Sequence, residues 1–328
     1  LSPTDEKILE IFSKTSVENM LFFDIETTGL SWKNAMVFLI GVLFKRNGKW
    51  QMEQWFLDDP SCERELLEMF FAAWTPDTFL IHYNGRQFDL PFLFGRCRAL
   101  GLTDPWTHDG RGGADQKDLD LYQILRPCRK LLGLDRLRLA DLEEFLGHPR
   151  DVQITGRKCA SLYRKYGLEK QTSQADLLLA HNRQDLLGMA CALEVLAYPA
   201  LFGGHFRLES CRQDPDGTDG ISADPVLTCT LRPAFPLPAP FSLDCAPHPW
   251  SICGEVRQVR VTFPLKDGCL KMYYKDYKDY YYLPEEDTAV HKSVGAYVDR
   301  GHRVAATART CYTHFPCSLE LMRDKGRV

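Results

Sequence analysis

The stretch NMLFFDIETTGL, residues 19–30, decides both the fold and the chemistry that we expect of this chain. Its apolar run predicts a buried β-strand, and the Thr-Thr-Gly that follows predicts a turn. Residues two apart on a strand point to the same face, so Asp24 and Glu26 project together. Two such carboxylates beside apolar surface repel each other, and a divalent cation removes that cost. We therefore predict a metal site here, with a strand that simply ends in polar surface residues as the alternative.

The neighbouring segments alternate between strand and helix patterns. In chain order they are strands at 35–44 and 49–57, a helix at 62–74, a strand at 78–84, a helix at 89–101, a short strand at 117–122, and helical segments at 138–147, 158–167 and 175–198. Asn47-Gly48 between the first two is a strong hairpin-turn signal. This order predicts an α/β domain with a mixed sheet flanked by helices, in which the hairpin strands are antiparallel.

The pattern changes after residue 203. A Gly- and Asp-rich stretch at 213–225 predicts a linker or long loop, and the segments beyond it are β-like with little helix. We therefore predict one domain at 18–203 and a smaller β-rich region of unknown role at 204–328.

Composition excludes several classes of protein. With 328 residues, 45% of them hydrophobic, the chain can bury a large core, and a net charge of −4 argues against a protein that coats nucleic acid by bulk charge. There is no run of about 18 apolar residues and no signal-peptide pattern, so we expect no membrane span and a cytoplasmic protein. The 12 cysteines include no CxxC pair and suit a reducing compartment. A zinc site at Cys311 and Cys317, with His314 between them, is a minor alternative.

Two further segments carry candidate site residues. FLIHYNGRQFDLPFL, residues 79–93, places Asp89 just beyond an apolar strand, where it is also an ordinary first-turn charge of a helix. HNRQD, residues 181–185, places His181 and Asp185 on one face of a helix, where such a pair is also a common local contact. Each segment is ambiguous by itself.

Taken in order, DIETTG (24–29), NGRQFD (84–89) and HNRQD resemble the three exonuclease motifs of the DEDD superfamily, which has a ribonuclease H-like fold. More closely, the chain resembles the YprB-like ribonuclease H-like proteins. The likeness spans roughly residues 20–200 and includes three further segments: DLDLYQILRP (118–127), RLADLEEFLGHPRD (138–151) and ITGRKCASLYRKY (154–166).

The resemblance implies a metal-dependent 3′–5′ exonuclease that hydrolyses phosphodiester bonds of single-stranded DNA or RNA. Asp24, Glu26, Asp89 and Asp185 would hold two divalent cations, Mg²⁺ or Mn²⁺, which can activate water and stabilise the leaving 3′ oxygen. His181 would complete the catalytic set. It has the spacing of the branch of the superfamily that uses tyrosine, so it either takes the proton from water or only orients the water.

The resemblance also assigns contacts to the substrate. The residues expected to hold the terminal nucleotide are Thr27, Thr28, Leu30 and Asn84. Two alternatives remain open: a nucleic-acid-binding protein without nuclease activity, and a structure-specific endonuclease. The sequence predicts no oligomeric state.

Other polar segments have a structural interpretation beside the functional one. Asp118 and Asp120 alternate along a short strand, where we expect a surface strand end rather than outer ligands of a metal. The basic residues of 157–165 fit a phosphate backbone or a solvated helix face. KMYYKDYKDYYYL, residues 271–283, interleaves lysines with tyrosines, but its aspartates cancel the charge and tyrosine is also common in sheets.

Overall fold

A computed structural model describes residues 1–75, 77–102, 117–150, 154–214, 226–244, 251–264 and 270–315. By its contacts the chain divides into two compact units. Unit 1 comprises Leu1–Asp214 and Leu227–Phe263, and unit 2 comprises Pro215–Val226 and Pro264–Val328. The division at 203/204 stays a prediction. Of the predicted linker at 213–225, residues 215–225 lie outside the described ranges.

Unit 1 begins with a helix and continues into strands that alternate with helices. Its first elements are α1 (Pro3–Ser13), β1 (Met20–Thr27), β2 (Val37–Arg46), β3 (Lys49–Phe56), α2 (Glu63–Ala72), β4 (Phe79–His82), α3 (Asp89–Ala99), β5 (Asp118–Asp120), α4 (Leu121–Leu125), α5 (Leu139–Phe145), α6 (Gly156–Glu169), α7 (Thr172–Ala192) and α8 (Ala197–Phe202). The predicted α/β class is confirmed. Helix α1 was not predicted, although Ser2 and Asp5 form a capping box at its start.

The five strands form one mixed sheet in the order β3-β2-β1-β4-β5. β1 runs antiparallel to β2 and parallel to β4, and β4 runs parallel to β5. The β2–β3 hairpin turns at Asn47 and Gly48, which both have positive φ as a two-residue type I′ turn requires. The predicted mixed sheet with an antiparallel hairpin is confirmed.

Strand β1 is the middle strand of this sheet, and both of its faces are covered by helices. Leu21, Phe23 and Ile25 join an apolar cluster that includes residues of α2 and α3. Met20 and Phe22, on the opposite face, join a second cluster that includes residues of α7 and α8. The alternation places Asp24 and Glu26 on the face that packs against α7.

The remaining strands of unit 1 form a second sheet in the order β6-β7-β10-β9-β8. These strands are β6 (Phe206–Asp214), β7 (Val226–Pro233), β8 (Phe241–Asp244), β9 (Ser251–Glu255) and β10 (Gln258–Pro264). The hydroxyl of Tyr198 on α8 donates to the carbonyl of Ala239 at 2.6 Å, which ties this sheet to the helices.

Unit 2 is small and mostly strand. It contains β11 (Leu270–Tyr273), β12 (Tyr280–Leu283), β13 (Thr288–His291), α9 (Lys292–Gly295), β14 (Val304–Ala305) and β15 (Tyr312–Phe315). Its core is a cluster around Ala289, Ala306 and Cys311. The expectation of a β-rich C-terminal region is confirmed.

One helical run, Thr172–Phe202, is long and apolar enough to cross a membrane by length and composition. Most of its apolar window is buried inside the fold. The core helix of a globular domain can have the same length and apolar composition.

Candidate active site

Strand β1 carries the first two predicted metal ligands near its C-terminal end. Glu26 is buried, with 6% of its surface exposed, and Asp24 is partly exposed. The pairing of β1 with β2 becomes irregular between Glu26 and Thr27. The carboxylates therefore lie where the apolar strand ends, as predicted.

Helix α7 lies close to β1 because one position of β2 has no side chain. Gly41 pairs with Asp24 in the sheet, and a Cβ atom at Gly41 would overlap Oδ1 of Asn182 on α7. Asn182 is fully buried, and its Nδ2 donates to Oδ2 of Asp24 at 2.8 Å. Its Oδ1 accepts from Nε2 of Gln54 at 2.7 Å. These two hydrogen bonds fix the orientation of the Asp24 carboxylate. Neither Asn182 nor Gly41 was predicted from the sequence to have a role.

The same helix brings Asp185 to the strand. Oxygen atoms of Asp24, Glu26 and Asp185 all lie within 4.8 Å of one another. His181 precedes Asp185 by one turn, and its Nε2 lies 3.3 Å from Oε1 of Glu26 and 3.5 Å from Oδ2 of Asp185. Four of the five predicted catalytic residues thus converge at the interface of β1 and α7.

Asp89, the fifth, is the first residue of α3. Its carboxyl group accepts the backbone N–H of Ile25, which lies between Asp24 and Glu26. Its negative charge helps to raise the pKa of both neighbouring carboxyl groups on β1. Asp89 therefore borders the same cluster from the β4–α3 connection.

The clustered carboxyl groups bind protons more tightly than usual. Burial, and then the charges of Asp185, Glu26 and Asp89, raise the pKa of Asp24 well above its ordinary value. Burial and the charges of Asp185 and Asp89 raise the pKa of Glu26 to about 8. Burial raises the pKa of Asp89 to about 6.

Such a cluster repels itself when ionised. A divalent cation would relieve the repulsion, and hard carboxylate oxygens are the ligands that Mg²⁺ and Mn²⁺ prefer. The donor set therefore fits a divalent metal ion.

His181 is buried beside these carboxylates. Burial lowers the pKa of its imidazole, an effect that the charge of Asp185 partly opposes. The ring is therefore neutral at pH 7 and can accept a proton. Its Nδ1 is buried and has no hydrogen-bond partner within the described ranges.

Arg150 is a third residue to which the sequence analysis gave no role. Its Nη1 lies 2.6 Å from Oδ1 of Asp185, and its Nε donates to Oε2 of Glu143 on α5. Gly188 on α7 leaves the space for this pair, because a Cβ atom there would overlap Oε1 of Glu143. The guanidinium offsets two carboxylates at once. Arg150 precedes α6 in a segment without helix or strand, so no periodic pattern marks it.

The expectation that Asp118 and Asp120 form a surface strand end is wrong. They are 7% and 2% exposed. Oδ2 of Asp118 lies 2.9 Å from Nε2 of His82 and 2.7 Å from Nε of Arg86, and Oδ1 of Asp120 accepts the N–H of Asn84 at 2.8 Å. Burial acts to raise the pKa of Asp118, but the bonds from His82 and Arg86 outweigh it and lower that pKa. The two aspartates fix the connection that leads to Asp89.

The predicted nucleotide contacts lie at or just after the C-terminal ends of β1 and β4. Oγ1 of Thr27 donates to the carbonyl of Gly29 at 2.8 Å, and Oγ1 of Thr28 accepts the N–H of Met36 at 3.0 Å. Leu30 is 88% exposed. Asn84 has a φ of 62°, and its Oδ1 is buried with no partner in the part of the chain that the structure describes. The threonines stabilise the turn after β1, and Leu30 offers an apolar surface.

The basic residues Arg157, Lys158, Arg164 and Lys165 are all exposed on α6. The tyrosines of 271–283 occupy β11, β12 and the segment between them. Tyr282 and Tyr312 both donate to Oδ1 of Asp287, which is a structural use of these hydroxyl groups. Cys317, the partner in the minor zinc alternative, lies outside the described residues.

A comparison with protein families identifies the fold. Residues 21–196, just over half of the chain, match the model of the RNase_H superfamily. The chain belongs to the RNase_H superfamily. The matched range contains every residue of the carboxylate cluster and all of the β3-β2-β1-β4-β5 sheet except Met20. The predicted ribonuclease H-like fold is thereby confirmed.

The chain is also similar to two curated proteins. It is 27% identical over 175 residues to the uncharacterized protein YprB of Bacillus subtilis (strain 168), covering 52% of this chain and 40% of that protein. It is 28% identical over 156 residues to a DNA polymerase of Pyrococcus glycovorans, covering 40% of this chain and 20% of the polymerase. The chain therefore spans less than half of the length of these curated relatives.

A solved structure is also similar. It is the zinc-bound form of an E. coli ExoI–ssDNA complex, with a TM-score of 0.33 and 14% identity, covering 65% of this chain and 54% of that chain. A TM-score of this size gives no information on the site of this chain.

Proposed function

We propose that this protein is a metal-dependent 3′–5′ exonuclease of the DEDD type, which hydrolyses phosphodiester bonds of single-stranded DNA or RNA. The observation that carries the proposal is the convergence of Asp24, Glu26 and Asp185 within 4.8 Å, next to Asp89. A protein that only binds nucleic acid gains nothing from keeping buried carboxylates together, because they repel both each other and the phosphate backbone.

The four carboxylates would hold two divalent cations, Mg²⁺ or Mn²⁺. When bound, these ions would act as Lewis acids on the attacking water and on the leaving 3′ oxygen of the scissile bond. Asn182 keeps the Asp24 carboxylate oriented toward this site through its 2.8 Å hydrogen bond. Arg150 holds Asp185 through a contact of 2.6 Å.

His181 would either take the proton from the attacking water or orient that water. Its Nε2 faces Glu26 and Asp185 at 3.3 and 3.5 Å, which is within reach of a water held between them. The lowered pKa of His181 favours the neutral form, which has a free electron pair for the proton.

The substrate contacts follow from the position of the turn after β1. Thr27, Thr28 and Leu30 would hold the terminal nucleotide, with the 88% exposed Leu30 packing against its base. Asn84, at the end of β4, would contact the same nucleotide. The nuclease domain would comprise residues 18–203.

The direct test is cleavage of end-labelled strands. Wild type and Asp24→Asn are incubated with 5′-labelled single-stranded DNA and RNA in Mg²⁺ or Mn²⁺, and Glu53→Gln, an exposed carboxylate on β3, is the control. We expect a ladder that shortens from the 3′ end, a block by a 3′-terminal phosphate, and loss of activity only in Asp24→Asn.

Two other outcomes of the same assay would identify the alternative functions. Cleavage of a circular single strand would instead indicate an endonuclease. Binding without cleavage in both metals would identify a non-catalytic nucleic-acid-binding protein.

A further inference from the structure

The active site contains a second set of possible metal ligands, and it differs in chemistry from the first. Donor atoms of Glu26, Cys159 and His181 all lie within 4.8 Å of one another, and all three residues are buried. This set offers one oxygen, one sulfur and one nitrogen atom. It shares Glu26 with the carboxylate cluster but adds the thiol of Cys159, which neither the sequence analysis nor the proposed nuclease mechanism uses.

Cys159 is held in position by the rest of α6. The helix begins at Gly156 and is capped by Thr155, and Tyr163 lies one turn after Cys159. The ring of Tyr163 stacks on Phe38 of β2 with a centroid distance of 4.1 Å, and its hydroxyl donates to the carbonyl of Leu57 at 3.0 Å. Cys159 has no exposed surface, and its thiol donates to the Glu26 carboxylate. The thiol therefore points toward β1 rather than to solvent.

The distance between the nitrogen and oxygen donors suits a tetrahedral ion. Two bonds of about 2.0–2.1 Å that meet at a tetrahedral angle separate their donor atoms by about 3.3–3.4 Å. Nε2 of His181 and Oε1 of Glu26 are 3.3 Å apart. The sulfur of Cys159 lies within 4.8 Å of a carboxylate oxygen of Glu26 and of a ring nitrogen of His181. A shift of about 1 Å brings it to the longer separation expected when one of the two bonds is to sulfur, about 2.3 Å.

The donor types select the ion. Mg²⁺ and Mn²⁺ prefer oxygen ligands, whereas a thiolate with an imidazole and one carboxylate suits Zn²⁺. We infer that Zn²⁺ binds to Glu26, Cys159 and His181, with a water molecule as fourth ligand, and that this ion competes with the carboxylate site for Glu26. On binding, the thiol loses its proton to solvent and the sulfur forms a bond to the ion, with no change of oxidation state.

The consequence is an inhibitory metal site. A zinc ion here withdraws Glu26 from the Mg²⁺ site and occupies the Nε2 electron pair of His181. The inhibition rests on the proposed nuclease function, whereas the binding of zinc does not.

Binding is tested with Co²⁺ and Zn²⁺ on the metal-free full chain. Cobalt bound through sulfur shows a thiolate-to-metal charge-transfer absorption, which we expect in the wild type and which added Zn²⁺ removes. In Cys159→Ala the absorption disappears, and the affinity for Zn²⁺ falls by at least about 100-fold, since even supporting residues cost 10–100-fold. Cys128→Ala, a buried cysteine in the other core cluster, keeps both properties.

Two results would overturn the inference. In the first, cobalt binds to the wild type without the charge-transfer band. This result needs only the wild type, so it does not depend on whether any variant folds. The second is an affinity for Zn²⁺ that Cys159→Ala leaves unchanged, which would place zinc on the carboxylates alone.

The activity assay separates this inference from the proposed function. With Mg²⁺ present, micromolar Zn²⁺ should inhibit the wild type and Cys128→Ala, and Cys159→Ala should resist it. If no variant cleaves any strand but the cobalt–thiolate band is present, the proposed function fails and the zinc site stands. If cleavage occurs and zinc inhibits all variants equally, the zinc site fails and the nuclease stands.

Discussion

Replacing Glu26 by glutamine should stabilise the metal-free protein at alkaline pH. The pKa of Glu26 is raised from 4.5 to about 8 in the folded chain. Between these two pH values the folded protein keeps a proton that the unfolded chain has lost, so a rise in pH favours unfolding. Glutamine has the same shape and cannot ionise, so it removes this dependence.

The magnitude follows from the two pKa values. Linkage gives a loss of stability from this one group of about 2 kcal/mol at pH 6 and about 4 kcal/mol at pH 8. The wild type should therefore lose about 2 kcal/mol between pH 6 and pH 8 through Glu26. The raised pKa of Asp24 acts in the same direction and adds to the slope.

Urea unfolding in the presence of EDTA measures this effect. The free energy of unfolding is determined at pH 6, 7 and 8 for the wild type, for Glu26→Gln and for the exposed control Glu53→Gln. We expect Glu26→Gln to be more stable than the wild type at pH 8, by a margin that narrows toward pH 6, and the control to follow the wild type. Mg²⁺ should reduce the margin, because it replaces the proton on the wild-type carboxylate. A Glu26→Gln variant that is less stable than the wild type at pH 8 would refute the reasoning.

Three further variants test the residues that hold the cluster. Gly41→Ala should cost about 1–3 kcal/mol of unfolding free energy, measured in urea, because its methyl group would overlap Asn182; equal stability would show that α7 can shift freely. Asn182→Asp replaces the donor to Asp24 by a further negative charge, so its melting temperature without metal should fall and Mg²⁺ should restore part of it. Arg150→Met should cost about 3–5 kcal/mol because Glu143 is left buried and unpaired, and the double variant with Glu143→Leu should recover most of this loss.

Local patterns predict the parts of this protein that depend on neighbours in the sequence. The alternation of β1 is sufficient to place Asp24 and Glu26 on one face, and Asn47-Gly48 is sufficient to predict the hairpin. The helical spacing of His181 and Asp185 predicts that they share a face. In each case the geometry is set within one element, so the residues alone determine it.

The parts that the sequence does not reveal depend on distant partners. In the sequence, Asp118 and Asp120 have the pattern of a polar strand end. In the fold, His82 of β4 and Arg86 of the following turn both contact the buried carboxylate of Asp118. Nothing in the sequence distinguishes Cys159 from the other cysteines. The stacking of Tyr163 on Phe38 packs α6 against the sheet and so places Cys159 beside β1. The burial of such groups comes from tertiary packing, which a periodic pattern does not encode.

In the proposed exonuclease, the carboxylates of β1, α3 and α7 hold divalent cations at the 3′ end of a nucleic-acid strand. Diffraction from crystals grown with Mn²⁺ and a short single-stranded oligonucleotide tests it most directly. We predict two anomalous peaks ligated by Asp24, Glu26, Asp89 and Asp185, with the 3′-terminal phosphodiester beside them. Two results would contradict this prediction in a crystal that contains both Mn²⁺ and the oligonucleotide. In the first, no manganese is bound at these carboxylates; in the second, the oligonucleotide binds elsewhere on the protein.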